Sequence, residues 1–132
     1  MQALNPLGCA VALASLELFR TEGVLDRVRS LERRLAARAA ELAALPHVGD
    51  VRVIGGVAAI ELVEDRASRR AGGYLDRVGP ELGREFIRRG LLLRPLGNIL
   101  YFMPPYVIED AEVDWALDQI QEVLGAWRWP GS

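Results

Sequence analysis

Between Cys9 and Leu18 the chain reads Cys-Ala-Val-Ala-Leu-Ala-Ser-Leu-Glu-Leu, a run of strong helix formers with almost no polar side. A helix that is apolar all round needs cover on every side. A chain of 132 residues has room for one domain of ordinary size, and such a domain has little to spare for wrapping one helix completely. The run therefore points to cover from a partner or a further domain.

The flanking sequence sets the helical frame. Asn5 is a good N-cap and Pro6 stands at the first helical position, where its missing N–H costs nothing. Gly23 divides the region into a helix ending near Glu22 and a second starting at Val24. Leu25, Val28, Leu31, Leu35, Ala39, Leu42 and Leu45 recur at steps of three and four and form the inner face of the second helix. Arg27, Arg34, Arg38 and Glu41 fall largely on the other face. Pro46 follows its end. Val51–Ile54 and Val57–Val63 are rich in β-branched residues and flank Gly55-Gly56, which predicts a hairpin. A helix is expected from Pro80 to Arg89, closed by Gly90. Leu91–Arg94 and Ile99–Met103 read as two further strands around a Pro95–Asn98 turn, with Pro104-Pro105 ending the second. A last helix runs from Glu109-Asp110 to about Leu124. The order ααββαββα is that of an α+β fold, with helices covering a short antiparallel or mixed sheet.

Composition narrows the chemistry. Apolar residues make up 51% and charged residues 26%, in the globular range, and the net charge is −2. Nothing suggests a nucleic-acid footprint or a membrane anchor, no apolar run approaches membrane-spanning length, and the first residues carry no secretory pattern. A soluble, cytoplasmic location is the expectation. All sixteen basic residues are Arg; there is no Lys. This chain thus offers no lysine amine for a Schiff base, a proton transfer or a P-loop. One Cys (Cys9) and one His (His47) exclude an internal disulfide and a cluster of His ligands.

Arg94 is the strongest candidate for a ligand contact. It follows Leu91-Leu92-Leu93, and its planar fork suits a carboxylate held bidentately. The alternative is an arginine in water or paired with an internal acid. Tyr101, on the strand expected to face it, could present its hydroxyl beside Arg94 or be a half-buried sheet aromatic. Met103-Pro104-Pro105-Tyr106 is an extended segment that walls a pocket or merely ends an edge strand. His47 reads as a surface or capping residue and Cys9 as a small buried one. Ser15, Ser30 and Ser68 have no neighbouring His; Glu61, Glu64, Asp65 and Arg66 read as a solvated strand end. Gly55-Gly56 and Gly72-Gly73 match no phosphate-binding spacing, and the three Trp are not interleaved with a basic patch.

Asn5-Pro6-Leu7-Gly8-Cys9-Ala10 with Ala14–Phe19, then Val51–Gly55, resemble the C-terminal segment of class III, pyridoxal-phosphate-dependent aminotransferases. The stretch Arg94–Ile108 looks like the members that serve biotin synthesis. The likeness covers nearly the whole chain in order. It implies the small C-terminal domain of a fold-type I enzyme, with residues 5–45 as a helical region linking to a missing large domain and 48–132 as the α/β small domain. It further implies that the position of Arg94 binds the substrate carboxylate and that Tyr101 lies near the active site. The family's cofactor-binding lysine lies outside the matched segment, so pyridoxal 5'-phosphate belongs to the parent enzyme and is not expected to bind this chain covalently. The Thr that holds the cofactor phosphate in relatives has no counterpart, the likeness stopping at Asn5, and Ala58 stands where relatives often have Gly. The partners implied are the large cofactor-binding domain or a homodimer partner, with small amino and keto acids as substrates. A stand-alone, non-catalytic carboxylate- or partner-binding domain, or a piece of a class III aminotransferase with another substrate, are the alternatives. If cover is missing, the surfaces around Ala10–Leu18 and Arg94–Tyr106 should be apolar and promote association.

Overall fold

In a computed structural model the chain forms α1 (Pro6–Thr21), α2 (Val24–Ala43), β1 (Val48–Ile54), β2 (Val57–Leu62), α3 (Val78–Arg88), β3 (Ile99–Phe102) and α4 (Asp110–Ala126). The structure describes residues 5–65, 67, 78–93 and 95–129. Arg66, Ser68, Gly72-Gly73 and Arg94 lie outside the described residues.

The strands pair antiparallel in the order β1-β2-β3. Gly55 and Gly56 make the two-residue turn between Ile54 and Val57, with Gly55 at φ 54°, a backbone that favours glycine. In register, Val53 faces Ala58, Val51 faces Ile60, Ala58 faces Phe102 and Ile60 faces Leu100. These side chains share one face of the sheet and pack into a continuous core with Leu31, Leu35 and Leu42 of α2, Leu82 and Phe86 of α3, and six residues of α4 from Val113 to Leu124. The opposite face carries Asp50, Arg52, Ile54, Val57, Ala59, Glu61 and Tyr101, all exposed or half-exposed. The fold is therefore two-layered: a small sheet with helices on one side.

Local signals account for the helix ends. The Asn5 side chain accepts a hydrogen bond from Leu7 N at 3.1 Å, with Pro6 in the first turn. Gly23, at φ 61°, separates α1 from α2. Glu109 and Glu112 cap the start of α4 reciprocally. At the end of α3, Gly90 adopts φ 84°, with Gly90 N bonded to Ile87 O and Leu91 N to Phe86 O. This is a Schellman stop, and Phe86 and Leu91 are both buried in the core.

Three expectations are corrected. Leu91–Leu93 is not a strand: Leu91 N is committed to the α3 terminus, and the segment runs back along that helix instead of joining the sheet. The element order is consequently ααββαβα. Leu25 is 57% exposed, because the core face of α2 begins about one turn later. Cys9 is exposed, as is every residue of α1.

Arg34 and Arg38 do not merely face solvent. Arg34 donates to Asp114 at 2.7 Å and to Asp110; Arg38 donates to Asp118 and Gln121, both at 2.8 Å. The acids recur every fourth residue on α4, and the arginines do the same on α2, so the two helices meet along a ladder of ion pairs. Both guanidinium groups are held above their ordinary range. The largest cause is the hydrogen bond donated to Asp114 for Arg34 and to Asp118 for Arg38, in each case opposed by burial. On the other flank of α4, Arg89 links Glu85 of α3 to Glu122 and Gln119. Hydrogen bonds from Arg88, then Arg89, hold the Glu85 carboxyl below the usual glutamate range.

No helix among the described residues is long and apolar enough to cross a membrane. On α1, Leu7, Val11, Leu13 and Leu16 are 71%, 62%, 68% and 66% exposed. The core is thus built without α1. Phe86→Ala is expected to destabilise the chain by about 3–5 kcal/mol, read by denaturant unfolding. Deleting residues 5–21 should leave the thermal midpoint nearly unchanged and weaken both concentration-dependent association and binding of an apolar dye. A depressed carboxyl stabilises the fold above its unfolded pKa, and that contribution disappears as pH falls through the folded value. Between about pH 5 and about pH 3, the wild-type midpoint should therefore fall more steeply than that of Glu85→Gln.

Candidate functional site

The chemistry expected from the sequence lies where the chain leaves α3 and enters β3. Two glycines of α3, four residues apart, open a flat strip on that helix. A β-carbon on Gly83 would lie 3.6 Å from the Leu93 carbonyl oxygen, and one on Gly79 would lie 3.5 Å from the Pro95 carbonyl oxygen. A glycine inside a helix costs about 1 kcal/mol relative to alanine. Both distances are ordinary van der Waals contacts, so Leu93 and Pro95 pass close along this side of α3. Pro95 is buried, and Leu93 packs against the core.

The segment then turns sharply. Leu96 N bonds Ile99 O at 2.8 Å, Ile99 N bonds Leu96 O at 3.1 Å, and Gly97 sits at φ 61°. Asn98 fastens this turn to the end of β2: Leu62 N donates to the Asn98 carbonyl at 2.7 Å, and Asn98 Nδ2 donates to the Leu62 carbonyl at 3.3 Å. The residues on either side of position 94 are held at both ends.

Tyr101 does not face a strand formed by 91–94. It pairs with Ala59 of β2, whose other neighbour is Arg52, so Tyr101 and Arg52 stand on the open face two strands apart. Tyr101 is 43% exposed. Arg52 lies 3.7 Å from both Asp50 and Glu61, loose pairs in water. Tyr106 closes over the hairpin turn. A β-carbon on Gly56 would come within 2.8 Å of its ring, and the ring meets Phe19 of α1 edge-on at 6.5 Å. The turn is also pinned to α2, where Glu32 accepts from Gly55 N at 3.1 Å.

The other candidates are structural. His47 Nδ1 donates to the Val63 carbonyl at 3.2 Å, and its ring leans on Trp129. Asp65 accepts from Ala67 N in a local turn. Among the described residues no group of His, Cys, Asp and Glu side chains has the makings of a metal site. A cleft of about 520 Å³ between α3 and α4 is lined by Arg84, Arg88 and Arg89 with Glu81 and Glu85, and a second of about 430 Å³ lies between α2 and Tyr106–Asp110. Neither is lined by Tyr101. Sequence reading missed the Gly79–Gly83 strip and the Asn98 clamp. The one available signal was a glycine in mid-helix, against propensity.

An antiparallel three-stranded sheet under helices on one face is an α+β small domain, and the solved structures it superposes on are pyridoxal-phosphate-dependent aminotransferases. The chain belongs to the class-III aminotransferase family, whose model matches residues 3–124. It is 42% identical over 120 residues to the adenosylmethionine-8-amino-7-oxononanoate aminotransferase of Geobacter sulfurreducens, a match covering 91% of this chain and 26% of that protein. The crystal structure of the like-named enzyme from Methanocaldococcus jannaschii superposes with a TM-score of 0.84 at 32% identity, covering 91% of this chain and 27% of that one. A PMP-bound aminotransferase from Vibrio fluvialis superposes at 0.82 and 32% identity, covering 90% and 26%. The chain thus spans about a quarter of the length of the relatives it matches.

The family's cofactor does not fit the residues present as a covalently held group, because none of the 132 residues is a lysine. Since Tyr101 is exposed and outside the core, Tyr101→Phe should change unfolding free energy by less than about 0.5 kcal/mol, as measured by denaturant titration.

Proposed function

We propose that this chain is the C-terminal, substrate-facing portion of a transaminase of biotin biosynthesis, which passes an amino group from S-adenosylmethionine or a similar donor to 8-amino-7-oxononanoate. The observation that carries the proposal is the in-order match of nine-tenths of the chain to relatives named for that substrate, at up to 44% identity. Arg94 takes the carboxylate of the oxononanoate through a two-pronged hydrogen bond. Tyr101 stands at the edge of the same site and orders substrate or water with its hydroxyl. The flanks of Arg94 support this role, Leu93 and Pro95 passing close along α3 and Asn98 being bonded to Leu62 of β2.

The amine that holds the cofactor and moves the proton is supplied by the large domain, and so is the cofactor itself; by itself this chain is inactive. Residues 5–45 form the link to that domain, with residues 48–132 as the small domain. α1 is the surface the large domain covers. Its uncovered apolar side chains, and those of Met103 and Val107 beyond β3, support this assignment.

The test places this chain in the G. sulfurreducens relative in exchange for the segment it matches. The hybrid should complement a biotin auxotroph, whereas the chain alone should not. Arg94→Ala should raise KM for 8-amino-7-oxononanoate by about tenfold or more with a smaller effect on the amino donor. Activity of the chain alone, or an unchanged KM in Arg94→Ala, would overturn the proposal.

A further inference from the structure

We infer that Phe19, Tyr106 and Gly56 form a latch that sets the direction of α1 relative to the sheet, with Gly23 as the hinge. This holds whatever covers α1. No residue of α1 is buried. Its polar side chains bond locally: the Asn5 cap accepts from Leu7 N, Arg20 donates to Glu17, and Thr21 Oγ1 donates to the Glu17 carbonyl. Among the described residues, the ring contact that ties this helix to the folded body is the edge-on pair of Phe19 and Tyr106, 6.5 Å between ring centres at 88°. Phe19, at 39% exposure, is also the most covered of the large apolar side chains on α1.

The hinge leaves the angle open. Glu22 N bonds back to Leu18 O, and Gly23 O accepts from Asp26 N and Arg27 N, so one helix closes and the next opens at this residue. Gly23 adopts φ 61°, and a β-carbon there would meet nothing within 4 Å. The junction therefore has no packing at Gly23 to hold α1 in place. The Tyr106 end, by contrast, is seated. Pro104 before it is buried, and Ile108 N closes a turn onto Pro105 O at 3.0 Å. The ring lies on the hairpin turn, where a β-carbon on Gly56 would come within 2.8 Å of it and 3.3 Å of Leu31. The shorter separation is well inside van der Waals contact, so a side chain at position 56 would lift the ring. The turn itself is pinned to α2 by the bond from Gly55 N to Glu32. The latch thus presents the apolar helix in one direction.

The test reads the distance between spin labels on Cys9, exposed in α1, and on Ala111→Cys, exposed in α4, in the full chain. Labelled chain is diluted into excess unlabelled chain, so that neighbouring copies do not contribute. The otherwise wild-type chain should give one narrow distance distribution. Phe19→Ala and Tyr106→Ala should each broaden it at least about twofold. Phe19→Ala should do so with the thermal midpoint nearly unchanged, which a general loosening of the fold would not. Tyr106→Phe should keep the narrow distribution, because the ring and not its hydroxyl makes the contact. Gly56→Ala should shift the centre of the distribution. A distribution already broad in the wild-type chain, or unchanged in Phe19→Ala, in Tyr106→Ala or in Gly56→Ala, would overturn the inference. If Tyr106→Ala does not fold, Phe19→Ala, which lies outside the core, decides in its place.

Discussion

Everything in this fold depends on the sheet burying one face only. Val51, Val53, Ala58, Ile60, Leu100 and Phe102 turn inward together because strand side chains alternate and the pairing register aligns them across three strands. A slip of one residue would turn Arg52, Glu61 and Tyr101 into the core. With the inner face settled, α2, α3 and α4 have one surface to cover, and their apolar stripes complete the core.

The charged residues follow from that arrangement. Covering a three-stranded sheet with three helices brings α4 between two neighbours, and its polar flanks meet arginines on both. The ladder of Arg34 and Arg38 with Asp110, Asp114 and Asp118, and the bridge from Arg89 to Glu122, lie at the half-exposed margins of the core. Single exposed ion pairs contribute little. These are networked, geometrically repeated and shared between elements, and they fix how α4 sits along α2.

The same one-sidedness leaves the functional edge open. The exposed face of the sheet, the turn after Pro95 and the whole of α1 lie outside the core, and in the class-III family such a segment makes up about a quarter of the relatives' length. A chain with sixteen arginines and no lysine has no lysine amine with which to hold a carbonyl covalently. The division of labour proposed here places binding and orientation on this chain and covalent chemistry elsewhere.

Much of this was legible before any coordinates. Asn5-Pro6, Gly23, Gly55-Gly56 and Gly90 mark boundaries that the structure keeps, because caps and turns are decided by hydrogen bonds a few residues apart. The spacing of Leu31, Leu35 and Leu42 identified the inner face of α2 for the same local reason. Other features were not legible. Leu91–Leu93 has the composition of a strand, yet its first amide is consumed by the end of α3. Arg34 finds its partners 76 and 80 residues away, a distance over which local periodicity carries no information. Sequence by itself determined the four helices, the hairpin and most of their apolar faces, because these follow from spacing and caps within a few residues. Tertiary structure alone decided which faces are covered, which arginines are paired and where the chain around Arg94 rests, because those outcomes depend on packing between elements that only the folded core brings together.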